Sequence, residues 1–270
     1  MKYKIGEVSR ILNIPLETLR YYESKDIVHP VKDKGNNYRY YDAWDINFLI
    51  ECKKFRSLDF SLSEIQDILH KDNLSNFIDK INDRQRYYNE RLKYYTLLVE
   101  KNRGYKNSLE HIEENLNKFT LTERPEIFYF IHRFNYEYKS KDEMDGLFEI
   151  WLEFFPFVDV LLEIKTEDVL CRDIRNNYNW GFSLEKKYID ELNIPVNDKV
   201  THAKKTRCLY TVICAGEKGS FSTKLLDDAM KFIENEGYQL SGAVTGNLLA
   251  RTHEKNGYKR YIEIWIPIKN

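Results

Sequence analysis

Residues 5–24 read Ile-Gly-Glu-Val-Ser-Arg-Ile-Leu-Asn-Ile-Pro-Leu-Glu-Thr-Leu-Arg-Tyr-Tyr-Glu-Ser. Ile5, Val8 and Leu12 recur at helical spacing and put one apolar face on a helix over residues 5–12. Asn13-Ile14-Pro15 makes a short turn. Proline suits the start of the next helix, because its missing N–H would find no intrahelical partner there. That helix, over residues 16–23, turns Leu19 toward the first and leaves Glu17, Thr18, Arg20 and Tyr21 more exposed. Two short helices joined by such a turn form a helix-turn-helix pattern, whose second helix can enter a DNA major groove.

Working outward, residues 28–41 contain the turn cluster Asp33-Lys34-Gly35-Asn36-Asn37 between two extended runs, which predicts a hairpin. Its return strand, Tyr38-Arg39-Tyr40-Tyr41, is basic and aromatic, as a wing lying along a phosphate backbone would be. Asp42 can cap a helix over residues 43–56, and Ser61-Leu62-Ser63-Glu64 is a capping box opening a helix over residues 62–69. On pattern alone, ordinary surface and core aromatics around a helical hairpin fit these residues as well.

The three stretches IGEVSRILNIPLETLRYYES, NNYRYYD and FRSLDFSLSEIQDIL, in this order and spacing, resemble the MerR family of winged helix-turn-helix transcription regulators. The resemblance covers about the first 70 residues. It implies a recognition helix over residues 16–23, with Thr18, Arg20, Tyr21 and Tyr22 in the DNA-contacting set; a tyrosine at Tyr22 can alternatively pack inward. It implies a first wing over residues 32–41, with Tyr38, Arg39 and Tyr41 near phosphates, and Lys54 and Arg56 at the start of a second wing. Two departures stand out. Glu17 occupies a position where relatives often carry a basic or polar residue, and Asp59 replaces the glycine usual before Phe-Ser-Leu.

Residues 76–118 read as one long helix. Phe77, Ile81, Tyr88, Leu92, Tyr95, Val99, Leu109, Ile112 and Leu116 recur in steps near 3.5, a coiled-coil seam interrupted at Asn102 and Gly104–Lys106. A single apolar stripe needs a partner. The family resemblance implies the same helix of a second subunit, running antiparallel in a homodimer; packing against the chain's own C-terminal part is the alternative. Soft-metal sensing needs thiolates, yet residues 76–118 contain no cysteine, and Cys171, Cys208 and Cys214 lack the close spacing of a cluster site. No metal and no cofactor is expected.

Residues 119–270 alternate strand-like and helical runs, which predicts an α+β domain with helices on one face of a sheet. Residues 127–134, 160–165 and 207–215 read as strands, and residues 142–155 and 221–235 as helices. In the last strand, Ile262, Ile264, Ile266 and Ile268 fall on one face, and Tyr261, Glu263 and Trp265 on the other. A carboxylate between aromatic rings suits a bulky organic cation, although a solvent-facing glutamate on a half-exposed sheet fits the same alternation. Tyr178-Asn179-Trp180-Gly181-Phe182 places three further aromatics on one side. Residues 229–237 and the ending Tyr-Ile-Glu-Ile-Trp-Ile-Pro-Ile look like the GyrI-like effector-binding domain of multidrug-responsive MerR activators. That resemblance implies Glu263 as the acidic pocket residue, with Trp265, Tyr261, Trp180 and Tyr129 as candidates around it.

The fold expected is therefore mixed: a winged helix-turn-helix over residues 1–75, a dimerisation helix over 76–118 and an α+β effector domain over 119–270. The formal charge of −1 averages +3 over the first 40 residues against −3 over the last segment, so near-neutrality does not exclude DNA. No apolar run is long enough to span a membrane, no signal peptide is visible, and the scattered cysteines suit a reducing cytoplasm. The resemblances together imply a regulator that binds a palindromic promoter in double-stranded DNA, meets RNA polymerase there, and distorts the DNA when a small effector binds. No catalytic residues are expected. A hydrolytic enzyme, or a DNA-binding protein that uses its C-terminal domain for another partner, is the alternative. Against catalysis, no second carboxylate and no nucleophile–histidine pair can be placed beside Glu263, and His202 and His253 fall outside the clear strands.

Overall fold

A computed structural model of the chain describes all residues except Met1, Lys34, Asn36, Asn37, Asp145, 171–176, 218–219 and Asn256. Part of the wing turn and Cys171 thus lie outside the described residues. The chain forms two compact units, Met1–Leu92 and Lys93–Asn270, and the division falls inside one long helix.

The first unit contains β1 (Tyr3–Lys4), α1 (Ile5–Leu12), α2 (Leu16–Ser24), β2 (Val31–Lys32), β3 (Arg39–Tyr41), α3 (Ala43–Arg56), α4 (Leu62–His70) and the first part of α5 (Leu74–Glu110). Asn13 ends α1 in the left-handed region at φ 51°, which a short polar side chain tolerates better than most residues. Asp42 caps α3, accepting from the backbone N–H of Trp44 at 2.8 Å and Asp45 at 3.0 Å. Ser61 and Glu64 form the expected reciprocal capping box on α4. Val8, Leu19, Ile27, Leu49 and Ile65 are fully buried together, so the apolar face of the helix-turn-helix closes onto α3 and α4. The wing strands pair as expected, and β1, not anticipated from the sequence, pairs with β3 on its other side.

Asp59 explains itself locally. It adopts φ 59°, the left-handed conformation that glycine would take without strain, and the chain turns so that the Phe60 N–H reaches the Phe55 carbonyl at 3.1 Å. The turn is retained with aspartate in place of glycine. Asp59→Ala is expected to destabilise the protein by about 1 kcal/mol, while Asp59→Gly should stay close to wild type. Urea unfolding of both variants measures the difference; equal losses would place the effect in the Asp59 carboxylate, which accepts from the Tyr88 hydroxyl at 3.3 Å, and not in the backbone.

In the second unit, α5 is followed by α6 (Ile112–Asn115), β4 (Thr120–Arg124), β5 (Ile127–Phe134), β6 (Glu137–Tyr138), α7 (Lys141–Met144), α8 (Leu147–Leu152), β7 (Asp159–Ile164), α9 (Thr166–Leu170) and β8 (Asn179–Glu185). Then come α10 (Lys186–Leu192), β9 (Thr201–Ala203), β10 (Thr206–Ala215), a 3-10 turn (Thr223–Leu226), α11 (Asp227–Asn235), β11 (Gln239–Leu240), β12 (Val244–Glu254) and β13 (Gly257–Lys269). The main path of the sheet runs β4-β10-β13-β12-β7-β8-β5-β6, every neighbouring pair antiparallel. Its two halves share one topology. In each, a strand, a helix and a second strand are followed by a third strand inserted between the first two, giving β7-β8-β5 and β12-β13-β10, joined where β7 meets β12.

The isoleucine face of β13 is buried beneath α11, whose Ala229, Met230 and Ile233 pack on it. Trp151 of α8 packs on the same side of the other half, with its ring 5.0 Å from Phe130 and its indole N–H donated to the Pro195 carbonyl at 3.1 Å. The sequence reading needs correction in three places. The helix expected over 142–155 is two short helices, α7 and α8, separated at Gly146, whose φ of 70° no continuous helix accommodates. The long helix stops at Glu110 and turns at His111, and Leu116 already bridges to Val212 of the sheet. His202 and His253 both lie in strands, His202 stacked on Phe128 with centroids 4.3 Å apart.

The apolar positions of α5 divide. Phe77 and Ile81 enter the core of the first unit. Tyr94, Leu97 and Leu98, which lie off the expected stripe, pack with Phe157 and Tyr188 in the second unit. Leu92, Tyr95 and Val99 remain 67%, 49% and 59% exposed.

Candidate functional site

The helix-turn-helix presents some of its predicted DNA residues outward and buries others. Arg20, Tyr21 and Lys54 are exposed, Thr18 is half-buried, and Tyr38 is exposed with the Lys4 ammonium 5.7 Å from its ring centre. Lys25 lies similarly over Tyr21, at 5.6 Å. Tyr41 is a correction. Period-two alternation along β3 turns it into the core, where it is completely buried, and burial pushes its phenol up to about 12. Tyr22 packs inward against the same core beside Cys52, the second of its two possible orientations, and burial raises its pKa. Arg39 is committed to an ion pair with Glu23, which Lys32 joins at 3.5 Å, so the wing is clamped to the end of α2. Arg56 donates to the Phe60 carbonyl at 2.7 Å and braces the second-wing turn. The exposed basic and aromatic residues of this unit include Lys4, Arg20, Tyr21, Lys25, Tyr38 and Lys54; Lys4 and Lys25 lie outside the motif positions.

The second unit holds a cavity of about 550 Å³ on the sheet face opposite the isoleucines. Glu263 lines it. Asn247, directly across on β12, donates to Oε1 at 3.0 Å, and the Tyr210 hydroxyl on β10 reaches Oε2 at 3.4 Å. Ser183 orients the Asn247 amide by donating to its oxygen at 3.0 Å. Tyr210 and Trp265, cross-strand partners with ring centroids 4.6 Å apart, supply the aromatic pair beside the carboxylate. Burial pushes Glu263 up to about 7; the Asn247 hydrogen bond opposes that shift and the Asp159 charge adds to it.

The opposite wall is α5. Lys101 extends from it to Asp159 of β7, with Nζ 2.6 Å from Oδ2. Burial raises the Asp159 pKa, and Lys101 offsets part of the shift. Tyr105, one turn on, donates its hydroxyl to the Leu249 carbonyl at 2.6 Å. Asp159 is a second carboxylate beside Glu263, where the sequence reading placed none. It was hidden because its strand neighbours Val160–Ile164 carried the alternation by which that strand was recognised.

Of the four residues suggested around Glu263, Trp265 lines the cavity. Tyr261 shares its face but packs with Ile112, Val212 and Leu249. Tyr129 also shares the face, yet it is buried against Leu161 and gives its hydroxyl to Glu163 at 2.9 Å. Trp180 is on the wrong side. It lies in the core beneath α11, because Trp180, Phe182 and Leu184 all point to the helical face of β8. Lys101, Asn247, Tyr210 and Ser183 carry no motif or spacing that marks them in the sequence. Lys101 sits off the apolar stripe of its helix, and Asn247 becomes Glu263's neighbour only through the β12–β13 register. Among the described residues no group of three or more His, Cys, Asp or Glu side chains could hold a metal, and no helix is long and apolar enough to cross a membrane.

Residues 3–72 match the family model described as MerR HTH family regulatory protein. The chain is 38% identical over 72 residues to the HTH-type transcriptional regulator ZntR homolog of Haemophilus influenzae, covering 27% of this chain and 53% of that protein. It is 38% identical over 65 residues to the HTH-type transcriptional regulator HmrR of Rhizobium leguminosarum bv. viciae, covering 24% and 50%. The chain thus spans about half the length of these curated relatives. A cryo-EM structure of an EcmrR–DNA complex aligns over 99% of this chain and 100% of that one, at 15% identity and a TM-score of 0.32, too loose a superposition to support an inference. The matched residues are those that fold into the α1–α2 pair, the wing and the α3–α4 helices, so this segment is a helix-turn-helix of the MerR kind.

Proposed function

We propose that the protein is a dimeric, ligand-responsive transcription regulator. Its helix-turn-helix binds a palindromic promoter, and an aromatic or cationic effector in the Glu263 cavity biases the dimer toward a state that distorts the DNA for RNA polymerase. One observation carries this reading. A single chain holds a MerR-type helix-turn-helix with outward Arg20, Tyr21 and Lys54, and a separate cavity lined by the half-buried carboxylate of Glu263. The cavity belongs to an effector domain of the GyrI-like kind in this reading, and the exposed Leu92, Tyr95 and Val99 stripe is where α5 meets its copy in an antiparallel pair.

The physical logic is a population shift. DNA distortion costs several kcal/mol, and the effector acts only through its different affinity for the two states of the dimer. Lys101 ties α5 to the sheet at the cavity wall, so a ligand that alters this contact alters the helix that carries the dimer seam.

DNA titration tests the binding half. Affinity for the chain's own promoter is expected to fall steeply with salt, and Arg20→Ala to weaken it roughly 10-fold or more. Binding indifferent to both would remove the DNA assignment. Transcription from that promoter with and without a cationic dye, in wild type and Glu263→Gln, tests the effector half; induction that survives the substitution would remove Glu263.

A further inference from the structure

The charged groups around the cavity are unequally matched. Lys101 pairs with Asp159 at 2.6 Å, and Lys187 with Glu100 at 3.1 Å and Glu185 at 3.3 Å. Arg124, at the end of β4, is different. It is only 6% exposed and lines the cavity, yet it makes no ion pair among the described residues. Two neutral oxygens accept from its guanidinium, the Thr245 hydroxyl at 3.1 Å and the Lys204 carbonyl at 3.1 Å. Its buried Nε has no hydrogen-bond partner. A guanidinium offers five N–H donors in a planar fork, matched to a carboxylate or another planar or tetrahedral oxyanion. Holding that charge out of water without an anion is costly, and burial accordingly lowers the Arg124 pKa.

Its position relative to Glu263 follows from the strand. Thr245, which receives Arg124, and Asn247, which donates to Glu263, are two residues apart on one face of β12. That spacing corresponds to roughly 7 Å. A cation site and an anion site therefore lie side by side, with Trp265, Ile127 and Leu161 supplying flat and apolar wall nearby. A simple lipophilic cation would satisfy Glu263 and leave Arg124 buried and unpaired.

We infer that Arg124 is an anion subsite of the cavity, and that the preferred ligand is an amphoteric aromatic molecule whose carboxylate or sulfonate meets Arg124 while a cationic or donor group meets Glu263. This rests on the proposal that the cavity binds an effector, and it specifies that effector's charge pattern.

A rhodamine free acid and its methyl ester provide the test. They share one cationic xanthene frame and differ only in a carboxylate. Fluorescence anisotropy of each dye with the full chain at about pH 8 is expected to give at least ~10-fold tighter binding of the acid, as a charge-assisted hydrogen-bonded pair supplies. Arg124→Met should weaken the acid and tighten the ester, because the same change removes an attraction for one and a repulsion for the other. A merely structural arginine would weaken both. Equal wild-type affinities, or an acid preference that survives Arg124→Met, overturn the anion subsite. The wild-type comparison needs no variant, and Arg124→Lys, which keeps the charge, is expected to retain part of the preference if the methionine variant melts early. Ester binding that depends on Glu263 without any preference for the acid would defeat this inference alone; binding of neither dye would defeat the effector cavity as well.

Discussion

Lys101→Met is expected to lower the stability of the full-length protein by about 2–3 kcal/mol. The ammonium lies 2.6 Å from Asp159, with the two side chains 14% and 30% exposed. Removing it leaves a largely buried carboxylate without its cation and beside a second acid, Glu263. The cost of such an orphaned charge exceeds the net contribution of the intact pair, and partial exposure keeps it below the roughly 3–5 kcal/mol of a fully buried pair. Asp159→Asn in the Lys101→Met background should recover much of the loss. Urea unfolding of the two single variants and the double variant measures the coupling directly. Additive losses would show that the pair does not act as a unit, and would remove the link between the helix and the cavity on which the proposed transmission relies.

Glu263→Gln should produce the second large effect, on ligand affinity and on the pH profile. The folded protein holds the Glu263 proton up to about 7, because burial disfavours the carboxylate. An unfolded chain releases that proton near 4.3. Between those values the folded state carries a proton the unfolded state has lost, so rising pH favours unfolding and the wild type should lose stability across that window. Above the folded pKa the loss is complete and the profile levels. The glutamine variant should lack this component. Binding runs the other way: a cation favours the ionised form, so wild-type affinity for a cationic dye should rise through pH 7, while Glu263→Gln weakens it by ~30-fold or more and flattens the dependence. Unfolding curves and dye anisotropy between about pH 5 and pH 8 measure both. A dye affinity unchanged by the substitution would place the binding site elsewhere.

The helix-turn-helix was legible because its determinants are local. The 3.6-residue spacing of Ile5, Val8 and Leu12, the Pro15 start, the Asp42 cap and the Ser61–Glu64 box each act within one or two turns of chain, and all appear where the sequence puts them. The isoleucine face of β13 was legible for the same reason, since its alternation is a property of the strand alone. Tyr41 holds a wing position by motif, but the register of β3 turns it into the core.

The identity of the cavity was partly encoded and partly assembled. Sequence alone carried the resemblance to MerR regulators over the first 70 residues and put Tyr261, Glu263 and Trp265 on one face of the final strand. Tertiary structure decided what surrounds them. Asn247 comes from β12, Tyr210 from β10, Ser183 from β8, Asp159 from β7, Arg124 from β4 and Lys101 from α5, residues up to 162 positions from Glu263 in the chain. Trp180 shows the same limit in reverse: its alternation with Tyr178 and Phe182 is local, but only the packing of the helices decides that their face is core. Periodicity records which side chains share a face. Which faces meet, and which charges they leave for a ligand, depends on strand order and helix packing that no local spacing contains.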